Sequence, residues 1–510
     1  MGASEGLPSS GCGERSSSRL SFRSETNSRW EWSPEEIRHV GHRVVDLIAE
    51  HLSTLAERPV FRPLPEDLAR EYVEDAAPLE GAEPLAILDE FAARIEPYPF
   101  GNGHPRFYGW VNSPPAVMGI FAEALAAAMN PSCAGGNHAA IYVERLVLNW
   151  FKSMLGFPRE SMGLLVSGGS MATLTALAVA RHAKAGANVR ARGVQGRTSP
   201  LTVYAGDEGH SCVRKAVELL GIGSDYLRII PSDAHFRMRV PDLEAAIERD
   251  LRDHAQPIAV VASAGTVNSG AIDPLDDLAG VCRRYGLWLH VDGAYGAPAI
   301  LTGRYREALA PIALADSIAV DPHKWMYVPV EAGLVLVRDA AVMRDAFSLI
   351  PPYLRTDGSP AGVGGPPWFS EFGFQQTRGF RALKVWMALK HHGLRGYAEA
   401  IERDIALAEH LAARVEATPT LELSAPPGLS IVCFRYAPSP LRGDDPRLDA
   451  VNRAVLEEIQ LGGQAFLSST TLGGRFVLRA CIVNPRASPE DLDALVDLVQ
   501  AAGARAARTL

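Results

Sequence analysis

Two hydrophobic periods alternate through the middle of the chain. Short, mainly apolar runs at residues 163–166, 201–204, 258–262, 287–291, 318–320 and 333–337 read as buried strands. Between them lie stretches whose apolar residues recur every three to four positions, as at 144–155, 171–181, 210–220 and 274–285, and these read as helices. Strand and helix in alternation predict an α/β fold with a mostly parallel central sheet and helices on both faces. From residue 393 onward the order changes. Helical stretches at 398–417, 445–461 and 489–503 flank strands at 429–434 and 476–483, which predicts a small C-terminal α+β domain over 393–510. The large α/β domain then spans 96–392. Ahead of it, residues 31–95 carry helical stretches, the first opened by Ser33-Pro34-Glu35-Glu36, a capping box with proline in the first turn. Its stripe of Ile37, Val40, Val44, Leu47, Ile48 and Leu52 needs an apolar partner, so 31–95 reads as a dimerisation segment. Residues 1–30, rich in Ser, Gly, Glu and Arg, are expected to be a disordered tail.

Composition narrows the function classes. The chain has 510 residues, 47% of them apolar, and a net charge of −9 without a long basic run, which argues against nucleic acid and anionic membranes as partners. Six scattered cysteines without a C-x-x-C pair argue against a zinc site or a disulfide framework and fit a reducing cytoplasm. No run of eighteen apolar residues reads as a spanning helix, and the N-terminus lacks an apolar signal core.

Chemistry-bearing residues collect where the strands end. Strand 163–166 runs into Ser167-Gly168-Gly169-Ser170 and a helix, an arrangement that presents backbone N–H groups and a helix N-terminus to an anion. His210 follows strand 201–204, Thr266 follows 258–262, and Asp292 with Ala294 follows 287–291. The run 318–320 stops at Asp321-Pro322, and His323 and Lys324 come next. The C-terminal ends of strands are where open α/β sheets bind ligands, and five coincidences make one site. Trp325 and Met326 would desolvate Lys324, lowering its pKa towards a nucleophilic amine. The segment His104–Pro115, with Trp110 and Ser113, reads as an irregular wall, either a core corner or part of a pocket. Residues 348–368 form a long Gly- and Pro-rich loop, lid-like, with Tyr353 near its start.

An anion cradle, a strand-end aspartate, a small residue two positions on and a desolvated lysine are the parts that pyridoxal 5′-phosphate (PLP) needs. Asp321-Pro-His-Lys324-Trp, His290-Val-Asp292-Gly-Ala-Tyr295 and His210-Ser211 together resemble the group II PLP-dependent amino-acid decarboxylases. The resemblance covers residues 34–500 and implies the fold-type I, aminotransferase-like architecture and a homodimer with its active site at the subunit interface. It implies that Lys324 holds the cofactor aldehyde and Asp292 keeps the ring nitrogen protonated. Gly169 and Ser170 hold the phosphate, Ala294 and His210 cover the two ring faces, and Thr266 and His323 support the cofactor. Tyr353 resembles the loop tyrosine that promotes protonation of the substrate Cα, and Trp110 and Ser113 would line the substrate pocket. The reaction implied is decarboxylation of an L-amino acid, aromatic rather than acidic, to the amine and CO2. An aldehyde-forming decarboxylation-deamination, a glutamate-type activity using Arg106 or Arg355, and a non-catalytic fold relative are the alternatives. Asp321 stands where animal aromatic decarboxylases have asparagine, and no phosphate contact is assigned to it.

Overall fold

The computed structural model describes residues 30–101, 103–186, 189–195, 197–350 and 365–509. The tail expected over 1–30 therefore lies outside the described residues except for Trp30. So does the segment 351–364, with Tyr353 and Arg355.

Seven strands make the central sheet: β1 (Met162–Val166), β2 (Leu201–Gly206), β3 (Leu227–Ile230), β4 (Gln256–Ser263), β5 (Trp288–Asp292), β6 (Ser317–Val320) and β7 (Gly333–Val337). Their order is β1-β7-β6-β5-β4-β2-β3. The pairings among β2 to β6 are all parallel, as expected. β7 runs antiparallel to both β1 and β6, because no crossover helix separates β6 from β7 and the chain simply turns back. Every residue of β1, β6 and β7 is buried, which is why these strands read as continuous apolar runs. In the ladder Ser263 pairs with Asp292 and Asp292 with Ala319, so β4, β5 and β6 end side by side.

A second, antiparallel sheet contains β8 (Leu421–Leu423), β9 (Ile431–Tyr436), β10 (Ser468–Leu472) and β11 (Arg475–Cys481) in the order β10-β11-β9-β8. Helices Asp445–Leu461 and Pro489–Thr509 bury their apolar stripes in the core beneath it. The helical stretch expected at 398–417 is part of a longer run, Arg381–Glu416, broken only at Gly393, whose φ of 66° and ψ of 163° are not helical.

Among the described residues, those up to Ser53 with Glu71–Pro97 form one compact unit, and Thr54–Arg70 with the remainder form the other. In the first unit the helix Pro34–Thr54 carries the expected capping box. The Glu36 N–H donates to Ser33 Oγ at 3.2 Å, and the Ser33 N–H donates to Glu36 Oε2 at 2.7 Å. This helix buries none of its residues, and Ile37, Val44 and Val45 are exposed. No described helix is long and apolar enough to cross a membrane.

Candidate active site

β6 delivers Asp321, and a tight turn closed by the Lys324 N–H on the Asp321 carbonyl (2.9 Å) brings the lysine back over the strand end. The turn is fixed from behind. Trp325 is fully buried, its indole N–H donating to Asp404 Oδ2 at 2.8 Å, and the Tyr327 hydroxyl donates to the same oxygen at 2.7 Å. The Trp325 ring stacks on Tyr295, with centroids 5.0 Å apart and planes at 22°. Tyr295 in turn is hydrogen-bonded to Ser430, its hydroxyl 2.6 Å from Ser430 Oγ. Burial pushes the Asp404 carboxyl up to about 7, partly offset by its hydrogen bonds to Tyr327 and Trp325.

Lys324 Nζ lies 3.0 Å from Asp321 Oδ2. The desolvation expected from Trp325 and Met326 is present and is the largest single influence on this amine, lowering its pKa. Asp321 and Asp292 together outweigh it, so the net shift is upward, opposite to the expectation from burial alone. At the end of β5, Asp292 Oδ1 accepts the Ala294 N–H at 3.1 Å. His210 sits at the mouth of the site. Its Nδ1 accepts the Cys212 N–H at 3.2 Å, so in the neutral ring the proton is on Nε2. Partial burial lowers the His210 pKa, helped by Lys324 and opposed by Asp292 and Asp321.

The anion cradle is built by close packing. A Cβ on Gly333 of β7 would come within 2.3 Å of Gly168 Cα, so glycine is required where the two backbones meet. The helix Gly169–Lys184 starts there, with N–H groups of its first turn lacking acceptors within the helix. β1 is held by a buried ion pair between Arg378 and Glu144: Glu144 Oε1 accepts the Leu165 N–H at 3.0 Å, and Arg378 Nη2 donates to the Leu165 carbonyl at 2.7 Å. His290, fully buried between Ser317 Oγ (2.9 Å) and Thr173 Oγ1 (3.3 Å), ties β5 and β6 to the cradle helix. Burial pushes its pKa down to about 4, so it is a neutral strut.

One cavity of about 490 Å³ is lined by Trp110, Gly169, Ser170, His210, Asp292, Ala294, His323 and Lys324. Two described sequence candidates, Ser113 and Thr266, are not among the residues lining it. The Ser113 hydroxyl donates to the His323 carbonyl at 3.3 Å, while its neighbour Asn112 lines the cavity. The Thr266 hydroxyl is 3.0 Å from Ser269 Oγ and accepts the Ala271 N–H at 3.1 Å, while Gly265 and Val267 line the cavity. Tyr353 lies outside the described residues.

Trp110 has a φ of 48°, a left-handed conformation that costs a bulky residue energy, held at the cavity wall. Arg479 locks it there by donating to the Trp110 carbonyl (2.8 Å) and the Asn268 carbonyl (3.1 Å). Phe100 and Phe466 pack behind the indole at 5.1 and 5.6 Å. The sequence reading missed Arg479 and Asp404, because each reaches the site across more than seventy residues of chain. An amine, a carboxylate, a backbone anion cradle and two flanking side chains in one cavity fit an aldehyde-bearing aromatic phosphate.

Comparison with known proteins agrees. The model described as the pyridoxal-dependent decarboxylase conserved domain matches residues 65–437. Aromatic-L-amino-acid decarboxylase of Bacillus atrophaeus is 37% identical over 462 residues, which are 90% of this chain and 94% of that one. Phenylacetaldehyde synthase of Arabidopsis thaliana is 30% identical over 463 residues, 88% of this chain and 92% of that one. The crystal structure of Oryza sativa TDC with PLP and tryptamine superposes with a TM-score of 0.86 at 26% identity, covering 93% of this chain and 99% of that one. The chain belongs to the pyridoxal-dependent decarboxylases: it is a fold-type I carboxy-lyase that works with pyridoxal phosphate.

Proposed function

We propose that this decarboxylase acts on an aromatic L-amino acid, releasing the amine and CO2, and that Lys324 is its cofactor-bearing residue. The observation that carries the reading is the convergence of Lys324, Asp292 and the Gly168–Ser170 cradle on one cavity. Bound through its aldehyde at Lys324, the cofactor supplies the electron sink for the pair left behind as CO2 departs. The N–H groups of Gly169 and Ser170 hold the phosphate at the helix N-terminus. Asp292 would keep a proton on the ring nitrogen, and Ala294 and His210 would hold the ring. His323 lines the cavity beside Lys324; Thr266 and Ser113 act by bracing the loops that carry Gly265 and His323.

The wall favours an aromatic side chain. Trp110, backed by Phe100 and Phe466, offers an apolar face. A second carboxylate finds no arginine among the described lining residues. Arg106, one candidate for that role, is committed to Asp491 at 2.8 Å. Incubation with L-tryptophan, L-tyrosine, L-phenylalanine and L-glutamate tests this: amine and CO2 form from the aromatic acids and not from glutamate. The similarity to phenylacetaldehyde synthase favours a second reading, aldehyde release. In the first reading Tyr353 directs protonation to Cα. Tyr353→Phe then loses amine and gains aldehyde, and unchanged amine output removes Tyr353 from the mechanism.

The working unit in this reading is a homodimer. Val117, Phe121, Leu125 and Met129 form one exposed stripe on the helix Val117–Met129, and the helix Pro34–Thr54 likewise leaves apolar residues exposed. Five buried free cysteines fit a reducing, cytoplasmic setting.

A further inference from the structure

Asp321 is almost wholly buried, 2% exposed, at the end of β6. Oδ2 is 3.0 Å from Lys324 Nζ and 3.9 Å from His323 Nε2. Oδ1 is buried and has no hydrogen-bond partner among the described residues. The same oxygen meets the cradle: a Cβ added to Gly169 would lie 2.9 Å from Oδ2. Asp321 therefore stands between the amine that takes the aldehyde and the glycine whose N–H faces the phosphate.

That position has an electrostatic consequence. Without cofactor, Lys324 as an ammonium balances the carboxylate. With cofactor, the Lys324 nitrogen is committed to the aldehyde and a phosphate carrying up to two negative charges occupies the cradle beside Asp321. The charged and titratable groups facing Asp321 are then Lys324 and His323 on its own turn, Asp292 on β5, and His210 and Cys212 after β2. Asp292 adds to the negative charge, and burial pushes the Cys212 thiol up to about 12, so it stays neutral. The pKa of His210 is lowered, so it adds little positive charge.

We propose that Asp321 faces the cofactor phosphate across Gly169 and weakens its retention, making the cofactor of this chain exchangeable. This rests on the phosphate occupying the Gly168–Ser170 cradle. Like charges a few ångströms apart in a partly buried site repel strongly, so replacing the carboxylate by a neutral group tightens phosphate binding.

The test compares pyridoxal phosphate with pyridoxal, which shares the ring and aldehyde but lacks the phosphate. Dissociation constants are measured by equilibrium titration of apo-protein, following the absorbance of the lysine adduct, for wild type, Asp321→Asn and Asp321→Ser. The melting temperature of each apo-protein reports folding, and the serine variant serves if the asparagine variant does not fold. The expected result is a preference for pyridoxal phosphate over pyridoxal that rises by about tenfold or more in both variants. If Asp321 acts only through Lys324, both ligands change by the same factor and the proposal is overturned. A preference that is unchanged or falls also overturns it. If wild type and both variants bind the two ligands equally, the cradle assignment itself fails, an outcome distinct from the failure of Asp321 alone.

Discussion

The two sides of the Lys324 turn are built on opposite rules. Behind it, Trp325, Tyr327, Tyr295 and Ser430 form a sealed layer whose indole and hydroxyl groups are paired, with Asp404 accepting two of the bonds. In front, Lys324 meets two carboxylates, one of them with an unpartnered oxygen, and a helix N-terminus opens onto the cavity. The rear face pairs its indole and hydroxyl groups and stacks its rings, with one oxygen of Asp404 left without a partner among the described residues, and so fixes the backbone. The front face leaves charge unbalanced, and a ligand bearing an aldehyde and a phosphate can rebalance it. Unsatisfied groups in a native interior concentrate where a ligand completes them.

Changes on the front face should cost activity with little cost in folding, and the largest effect belongs to Lys324. Lys324→Ala should lower kcat by on the order of a thousandfold or more, because a covalent anchor is lost; as the exception on this face it should also lower the melting temperature of the apo-protein, because Asp321 is left buried without its cation. Asp292→Ala should lower kcat by roughly 10²–10³-fold with cofactor still bound, measured by turnover and by absorbance of the bound cofactor. A variant that loses its cofactor along with its activity would make Asp292 a binding residue.

The rear face should respond the other way, in stability before chemistry. Asp404→Asn should change stability by about 1–3 kcal/mol, since two buried donors keep an acceptor of altered strength. Its pH dependence has a definite sign. The folded-state pKa is raised from 3.8 to about 7 by burial, so the folded chain binds this proton more tightly than the unfolded chain. The contribution of Asp404 to stability is therefore fully present below about pH 4 and is lost as pH rises towards 7. Denaturant melts of wild type and Asp404→Asn should show a difference that shifts against wild type across that window. A flat difference would mean that Asp404 does not titrate there. The smallest effect belongs to Arg106. Its substitution by Ala should leave activity on aromatic substrates within about twofold, because its partner is Asp491 at a partly exposed pair.

The same contrast explains what could be read from the sequence. Strands β1, β2, β5 and β6 read as mainly apolar runs, and the front-face residues Lys324, Asp292, His210 and the cradle lie at or just beyond the ends of β6, β5, β2 and β1. β3 was missed because it is a four-residue edge strand with Ile229 exposed and Arg228 paired to Asp250, so it carries no apolar run. β10, Ser468–Leu472, is rich in Ser and Thr and reads as loop. Asp404 and Arg479 leave no local signature, because what they do is set by contacts made across the fold. Ser113 reads as a lining residue, but its hydroxyl bonds the His323 carbonyl and its neighbour Asn112 lines the cavity. The pKa of Lys324 was misjudged because desolvation was weighed alone, without the two carboxylates that the strand ends bring to it.

The central claim is that the lysine at the end of β6 carries the cofactor. Borohydride reduction of the holoenzyme, followed by proteolysis and mass spectrometry, tests it directly. The account predicts one pyridoxyl-phosphate adduct per chain, on Lys324. An adduct on any other lysine, or none on a protein that turns over substrate, would contradict it.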